Sequence, residues 1–385
     1  MKNGWQVKAL GDICQVIGGG TPSKSIAEYY VGNIPWATVR DMRTDLITET
    51  EHKITHVAVK NSATKIISNG NVVIATRVGL GKVCLLGQDT AINQDLRGIV
   101  PKDSNILFVR YLFWWLKSVV DTIVAEGTGA TVQGVKLPFI KSLQIPLPPL
   151  PEQQRIVTIL DEAFEGIATA KAKAEKNLQN ARALFESHLN SVFSRRGEGW
   201  VERRLSDICV FINGRAYKKN EMLSAGKYPL LRVGNFFTNN DWYYTDLDLE
   251  PAKYCDTGDL LYAWSASFGP RIWEGGKVVY HYHIWKVIPN INLTNKRFLL
   301  YLLSWDVEQI KQLHGTGTTM MHVSKGSIEK RIVPVPPLEQ QKYIVNNLDK
   351  LKTETQHLQS IYQKKLAALE ELKKSLLHQA FSGEL

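Results

Sequence analysis

Hydrophobic and polar positions follow two regimes along this chain, and each regime occurs twice. In residues 152–196, apolar side chains stand at Ile156, Leu160, Ala163, Ile167, Ala170, Ala174, Leu178, Ala181, Phe185, Leu189 and Val192. Steps of three and four alternate, which lays one apolar seam along a single helix face. The same seam, 188 residues on, reads Ile344, Leu348, Leu351, Thr355, Leu358, Tyr362, Leu366, Leu369, Lys373, Leu377 and Ala380, with Leu372 and Leu376 beside the breaks. Neither stretch contains proline, and about 40 residues at ~1.5 Å each make a rod of about 60 Å. A seam of that length exceeds what a compact domain covers, so the pattern predicts two long helices packed on each other as an antiparallel coiled coil. A stabilising hairpin inside one larger domain is the plainer alternative.

Outside these stretches the pattern breaks into short apolar runs bounded by Gly, Pro and Asn. Val72–Ala75, Leu260–Ala263 and Val278–Tyr280 predict strands, while Phe108–Val120 and Phe298–Gln312 predict helices, giving mixed α+β domains. Polar, Gly-rich loops lie between the runs: Gly18–Lys24, Thr76–Lys82 and Asn93–Arg97 in the first half, Asn213–Lys219 and Ser265–Arg271 in the second.

The chain is also written twice. Gly4-Trp5-Gln6-Val7-Lys8-Ala9-Leu10-Gly11-Asp12-Ile13-Cys14 returns 195 residues later as Gly199-Trp200-Val201-Glu202-Arg203-Arg204-Leu205-Ser206-Asp207-Ile208-Cys209. Ile34-Pro35-Trp36 is echoed by Tyr228-Pro229-Leu230, and Gly127-Thr128-Gly129-Ala130-Thr131 by Gly315-Thr316-Gly317-Thr318-Thr319. Pro146-Leu147-Pro148-Pro149-Leu150 pairs with Pro334-Val335-Pro336-Pro337-Leu338, and from Gly127 onward the offset holds at 188 without a gap. Collinear matches at one steady offset exclude chance, and the repeat is too long for a solenoid unit. The expected order is a globular domain over 1–150, a helix over 151–196, a second globular domain over 197–338 and a second helix over 339–385. Phe381-Ser382-Gly383-Glu384-Leu385 stops where Phe193-Ser194-Arg195-Arg196 runs on towards Gly199-Trp200. The arrangement therefore reads as circular and pseudo-two-fold.

Composition and charge narrow the function. A chain of 385 residues with 44% hydrophobic and 22% charged residues is an ordinary globular protein of two or three domains. The longest apolar runs, such as Tyr111–Leu116, fall far short of the ~20 residues of a membrane helix. Residues 1–5 show no apolar leader, and Cys14, Cys84, Cys209 and Cys255 lie far apart, so a reducing cytoplasm is the expected compartment. The net charge is +10, divided as +5 over 1–151, +1 over 152–196, +3 over 197–338 and +1 over 339–385. The excess sits on the globular halves, where a surface for a polyanion belongs.

No catalytic constellation accompanies it. GxxxxGK[ST], HExxH, GxSxG and an EF-hand loop are all missing from the sequence. His281 and His283 share a strand face, but with no Cys or acidic neighbour in sequence they are expected to pack or to lie on the surface.

The two Pro-Pro-Leu stops, the repeat and the paired helices resemble the specificity subunit (HsdS) of type I restriction–modification systems. Pro148-Pro149-Leu150-Pro151-Glu152-Gln153-Gln154-Arg155-Ile156-Val157 looks like the family's Pro-Pro-Leu-x-Glu-Gln-x-x-Ile-Val, and Phe381–Leu385 looks like its usual ending. The second copy departs from the motif: Gln340 stands at the glutamate position and Glu339 one place early. The resemblance implies two target recognition domains, each reading half of a split double-stranded DNA target, with the helices setting the gap. It implies two methyltransferase (HsdM) subunits carrying S-adenosylmethionine, and restriction (HsdR) subunits using ATP and Mg²⁺. This chain is then expected to be non-catalytic, to bind no cofactor or metal itself and to have no membrane contact.

Arg, Asn and Gln suit base edges and Lys suits phosphates. The expected DNA contacts are Lys24, Arg40, Arg77, Lys82, Gln94 and Arg97 in the first half, and Arg215, Lys218, Lys219, Arg232, Asn235 and Arg271 in the second. The expected spacer and partner-binding positions are Ile156, Leu160, Ile167, Leu178, Phe185, Ile344, Leu348, Leu358, Leu366 and Leu377. A coiled-coil scaffold that binds only proteins and a self-contained DNA-modifying enzyme are the competing readings.

Overall fold

The computed structural model describes residues 4–129, 134–237, 241–265, 268–314 and 323–385. Ala130-Thr131 and Gly315–Thr319 of the repeated glycine motif lie outside the described residues, as do positions 266 and 267 of the Ser265–Arg271 loop. The chain divides into two compact units, one of residues 1–175 with 364–385 and one of residues 176–363.

The first unit contains a five-stranded sheet in the order Cys14–Gly18, Leu96–Pro101, Val72–Ala75, Val83–Leu86 and Leu46–Ile47. A four-stranded sheet follows the order His52–Ile54, Ile34–Ala37, Thr90–Ile92 and Lys65–Ile67. Val73 and Ala75 join a core with Ile67, Ile92 and Leu96, while Val72 and Ile74 meet the helix Val109–Ser118 on the other side. A strand covered on both faces must be apolar at every position, which explains its unbroken hydrophobic run. The helix buries Tyr111–Leu116 entirely.

The second unit repeats this plan. One sheet runs Cys209–Asn213, Ile284–Pro289, Leu260–Ala263, Gly269–Ile272, the other Tyr243–Thr245, Tyr228–Leu231, Val278–Tyr280, Tyr254–Cys255. In both units a short antiparallel ladder ties the entry strand to the strand that feeds a long helix: Gln6–Ala9 with Gln144–Leu147, and Val201–Arg204 with Ile332–Val335.

The long helices are Leu150–Ser194 and Leu338–Ser382, each of 45 residues, and each unit takes in part of both. In the first unit Arg155 donates to the Leu385 carbonyl at 2.7 Å, Lys373 lies 5.4 Å from the Phe164 ring centroid, and Lys171 pairs with Glu370. Numbers rise along one helix as they fall along the other, so the helices are antiparallel there. Ile156, Leu160 and Phe164 share a core with Leu377, Ala380 and Phe381; in the second unit Leu189 and Phe193 share one with Val345 and Leu348. Of the seam positions, Ile167, Leu178, Phe185, Ile344 and Leu366 are half-buried, and Leu358 is 37% exposed. The second helix stops at Gly383, whose φ of +84° lets Glu384 N–H reach back to the Gln379 carbonyl at 2.9 Å.

A buried glutamine roots each helix in its unit. Gln153 Oε1 accepts from the Phe108 N–H at 2.9 Å, and its Nε2 donates to the Ile106 and Pro148 carbonyls at 2.9 and 2.8 Å. Gln341 does the same with the Asn295 N–H and the Leu293 and Pro336 carbonyls, at 2.8, 2.8 and 2.9 Å. Two turns further, Asp161 accepts from Arg110 and Trp114, and Asp349 from Arg297 and Tyr301. Gln340, at the position of Glu152, donates instead to the Glu198 carbonyl at 3.1 Å, while Glu339 pairs with Lys342.

Candidate nucleic-acid interface

Strand register brings three loops of the first unit to one sheet end. Gly18 pairs with Arg97 and Ala75 with Leu96, so the chain leaves Gly18, leaves Ala75 and arrives at Leu96 side by side. Backbone bonds close the corner: Gly20 N–H to the Ile92 carbonyl at 3.0 Å, Thr76 N–H to Asp95 at 2.9 Å, and Asn93 N–H to Ala37 at 3.0 Å. A Cβ on Gly19 would lie 2.1 Å from the Asn93 carbonyl oxygen, so the close approach requires glycine.

On this frame Asn93 Nδ2 donates to Asp95 Oδ2 at 3.0 Å, and Asp95 lies 3.8 Å from Arg77 Nε. Arg97 donates to the Gln94 and Leu96 carbonyls at 2.8 and 2.7 Å, and the Thr21 hydroxyl donates to Gln94 Oε1. Arg77 is 52% exposed and Gln94 is exposed as well. Burial, and then the nearby Arg77, lower the Arg97 pKa from its ordinary value.

The second unit builds the same corner with other side chains. Asn213 pairs with Trp285 and Ala263 with Ile284. Trp264 N–H donates to the His283 carbonyl at 3.1 Å, His281 N–H to Leu231 at 2.9 Å, and Arg215 N–H to Tyr280 at 3.1 Å. A Cβ on Gly214 would lie 2.4 Å from the His281 carbonyl oxygen, as for Gly19. His281-Tyr282-His283 therefore stand where the first unit has Asn93-Gln94-Asp95. Arg215 clamps Glu221 with bonds of 2.7 and 3.0 Å and lies 5.0 Å from the Tyr217 ring centroid. The hydrogen bonds from Arg215 and from the Lys218 N–H hold the Glu221 carboxyl down at about 2. Arg232 lies 5.3 Å from the Tyr243 ring centroid, and Asn235 Nδ2 donates to the Asp241 carbonyl at 2.8 Å.

The structure thus gathers Arg77, Gln94 and Arg97 at one corner, and Arg215, Arg232 and Asn235 around the other. Of the remaining expected contacts, Lys218 adjoins Arg215 through Glu221, and Arg271 shares a cleft with Asn235. Lys24 and Lys218 are exposed on a turn and a loop, Lys219 is exposed at the start of the short 3-10 helix Lys219–Glu221, and Arg40 is 77% exposed, 3.9 Å from Glu51. The Lys82 ammonium faces the carbonyls of Met42 and Val39 at 3.3 and 3.5 Å. Arg271 donates to the Phe236 carbonyl at 2.5 Å and lines an 830 Å³ cleft with Arg297, Tyr301, Asp349 and Lys352. Trp264 and Tyr282 also stand at the second corner, together with His281 and His283, which were expected to pack or to lie on the surface. The signal was present: carrying the 188 offset back to Val72 aligns Asn93–Asp95 with His281–His283.

The family model for the type I restriction modification DNA specificity domain matches residues 2–179 and again 197–368. The chain belongs to that family. It is 27% identical over 368 residues to the MjaIX specificity subunit of Methanocaldococcus jannaschii, covering 86% of this chain and 83% of that protein. It is 38% identical over 195 residues to the EcoR124I/EcoR124II specificity subunit of Escherichia coli, 49% of this chain and 48% of that protein. Among solved structures, a chain from a type I R-M system described for its assembly and conformational transition aligns with a TM-score of 0.84 at 19% identity, covering 100% of this chain and 99% of that one. The HsdS subunit of Thermoanaerobacter tengcongensis aligns with a TM-score of 0.65 at 19% identity, covering 100% and 98%. At such identities the likeness is one of fold, and it agrees with two tandem α+β domains linked by long helices.

Proposed function

We propose that this chain is the DNA sequence-specificity subunit of a type I restriction–modification complex, with each globular domain reading one half of a bipartite, asymmetric target. The observation that carries this is the duplicated corner: one backbone frame holds Asn93-Gln94-Asp95 in one unit and His281-Tyr282-His283 in the other. A shared frame with different side chains is what two different half-sites require, because base edges are discriminated by donor and acceptor pattern. The domains span 1–150 and 197–338, and the helical segments 151–196 and 339–385 set the half-site gap and receive two methyltransferase subunits. Those subunits supply S-adenosylmethionine, and restriction subunits supply ATP- and Mg²⁺-dependent cleavage; this chain contributes recognition without catalysis, in the cytoplasm. Among the described residues no helix is long and apolar enough to cross a membrane.

The test is the host's DNA methylation at base resolution, with and without the gene. Loss of one bipartite adenine-methylated motif on deletion is the expected result and names both half-sites. An unchanged pattern, with the methyltransferase subunits expressed, sinks the proposal.

A further inference from the structure

We propose that the His281-Tyr282-His283 corner, backed by Trp264, is the base-reading element of the second unit. The inference rests on the DNA-specificity reading and names the side chains that serve it there. Three observations support it.

The corner is fixed before any ligand arrives. Tyr282 N–H donates to the Arg215 carbonyl at 3.0 Å, and the Trp264 indole N–H donates to the Tyr282 carbonyl at 2.7 Å. Together with the bonds from His281 and Trp264 N–H, these anchor every residue of the turn to a neighbouring strand or loop. Rigid presentation removes an ordering cost on binding.

The side chains form one aromatic cluster. Ring centroids lie 3.9 Å apart for Tyr282 and His283, 4.5 Å for His281 and Tyr282, 4.8 Å for His281 and His283, and 4.9 Å for Trp264 and His283. Tyr282 is nevertheless 38% exposed, at the position that the exposed Gln94 holds in the first unit. An aromatic ring held open to solvent offers an apolar face to a thymine methyl or a neighbouring base.

A 210 Å³ hollow beside the cluster is lined by His281, His283, Arg232, Asn235 and Asp241. Burial, His283 and Arg232 push the His281 imidazole down to about 4, so it is neutral at neutral pH. A neutral imidazole carries one N–H donor and one bare acceptor nitrogen. With the Arg232 guanidinium alongside, the hollow is lined by both donor and acceptor groups, the kinds that pair with base edges.

The experiment expresses the full chain with its methyltransferase subunits in a host without competing adenine methylation. Genomic methylation is mapped for wild type, His281→Ala with His283→Ala, His281→Gln, Tyr282→Ala and Tyr282→Phe, with Arg77→Ala as a control on the other unit. The expected result is that the His281 variants and Tyr282→Ala keep every letter of one half-site and relax at least one letter of the other by about tenfold, while Tyr282→Phe, which keeps the ring, is the control that reads as wild type. Unchanged letters in both half-sites for the His281 variants and Tyr282→Ala overturn the proposal. So does altered reading of the half-site that Arg77→Ala alters. Where an alanine variant abolishes methylation, His281→Gln, shown folded by thermal unfolding, decides between these outcomes. Complete loss there too would mean a structural role and overturn it. Absence of any bipartite motif with the wild-type chain would be the failure of the specificity reading itself, which no corner variant can produce.

Discussion

The ring of Phe381 meets the ring of Tyr111 edge-on, with centroids 5.2 Å apart and planes at 63°. The last helical turn of the chain is thus part of the first unit's core, beside the helix Val109–Ser118. Phe193 occupies the corresponding place in the second unit, 5.6 Å from Phe298 and 6.3 Å from Trp200. Phe381→Ala should cost about 3–5 kcal/mol through lost burial and an unfilled cavity, confined to the first unit. Phe193→Ala should cost the same in the second. Hydrogen exchange followed through a urea titration resolves the two, and loss spread evenly over both units would contradict the assignment.

Gln153 satisfies three backbone groups at once, the Phe108 N–H and the Ile106 and Pro148 carbonyls. Truncation to alanine leaves buried groups without partners, at roughly 1–3 kcal/mol each before relaxation and water entry. Gln153→Ala should therefore lower unfolding stability by about 3 kcal/mol. A urea midpoint shift below the equivalent of about 1 kcal/mol would show that solvent replaces the bonds.

Gly166 is helical, and a Cβ there would meet nothing within 4 Å. Gly166→Ala should stabilise the first long helix by about 0.5–1 kcal/mol, since alanine restricts the unfolded chain and fits without strain. A lower melting temperature would mean that the open space is needed by something else.

Arg77 and Lys82 lie on one loop and should behave differently. Arg77→Ala is expected to change the letters read in one half-site only. Lys82→Ala is expected to weaken binding across sequences and to reduce the salt slope by about one. Equal damage to both half-sites by Arg77→Ala would rule out independent reading.

His281 gives a pH signature. Its folded value of about 4 lies below the ordinary 6.5, so on acidification the unfolded state takes up the proton first. Its contribution to stability is complete above pH 6.5 and declines as the pH falls from there towards 4. His281→Gln should flatten that part of the second unit's stability profile. Parallel profiles for variant and wild type between pH 7.5 and 4 would show that His281 is not the titrating group.

What the sequence by itself determined is the part written in local pattern. The seam from Ile156 to Val192 and its copy specify long helices, because an apolar position every three to four residues has one low-energy arrangement. The repeat specified two α+β domains, and the Gly-Trp and Phe-Ser ends specified that Trp5 and Leu385 belong together; both pack against the first unit's core.

Tertiary structure decided the rest. Which loops meet at a corner depends on the register of Leu96 with Ala75 and of Ile284 with Ala263, and on bonds such as Thr76 N–H to the Asp95 carbonyl. These join residues far apart in sequence, and no local periodicity encodes them. The same long-range pairing drew His281 and His283 into a cluster with Trp264 and turned Arg271 into a cleft beside Asp349. It left the seam position Leu358 at the surface, because spacing fixes the face of a helix but not the partner that covers it.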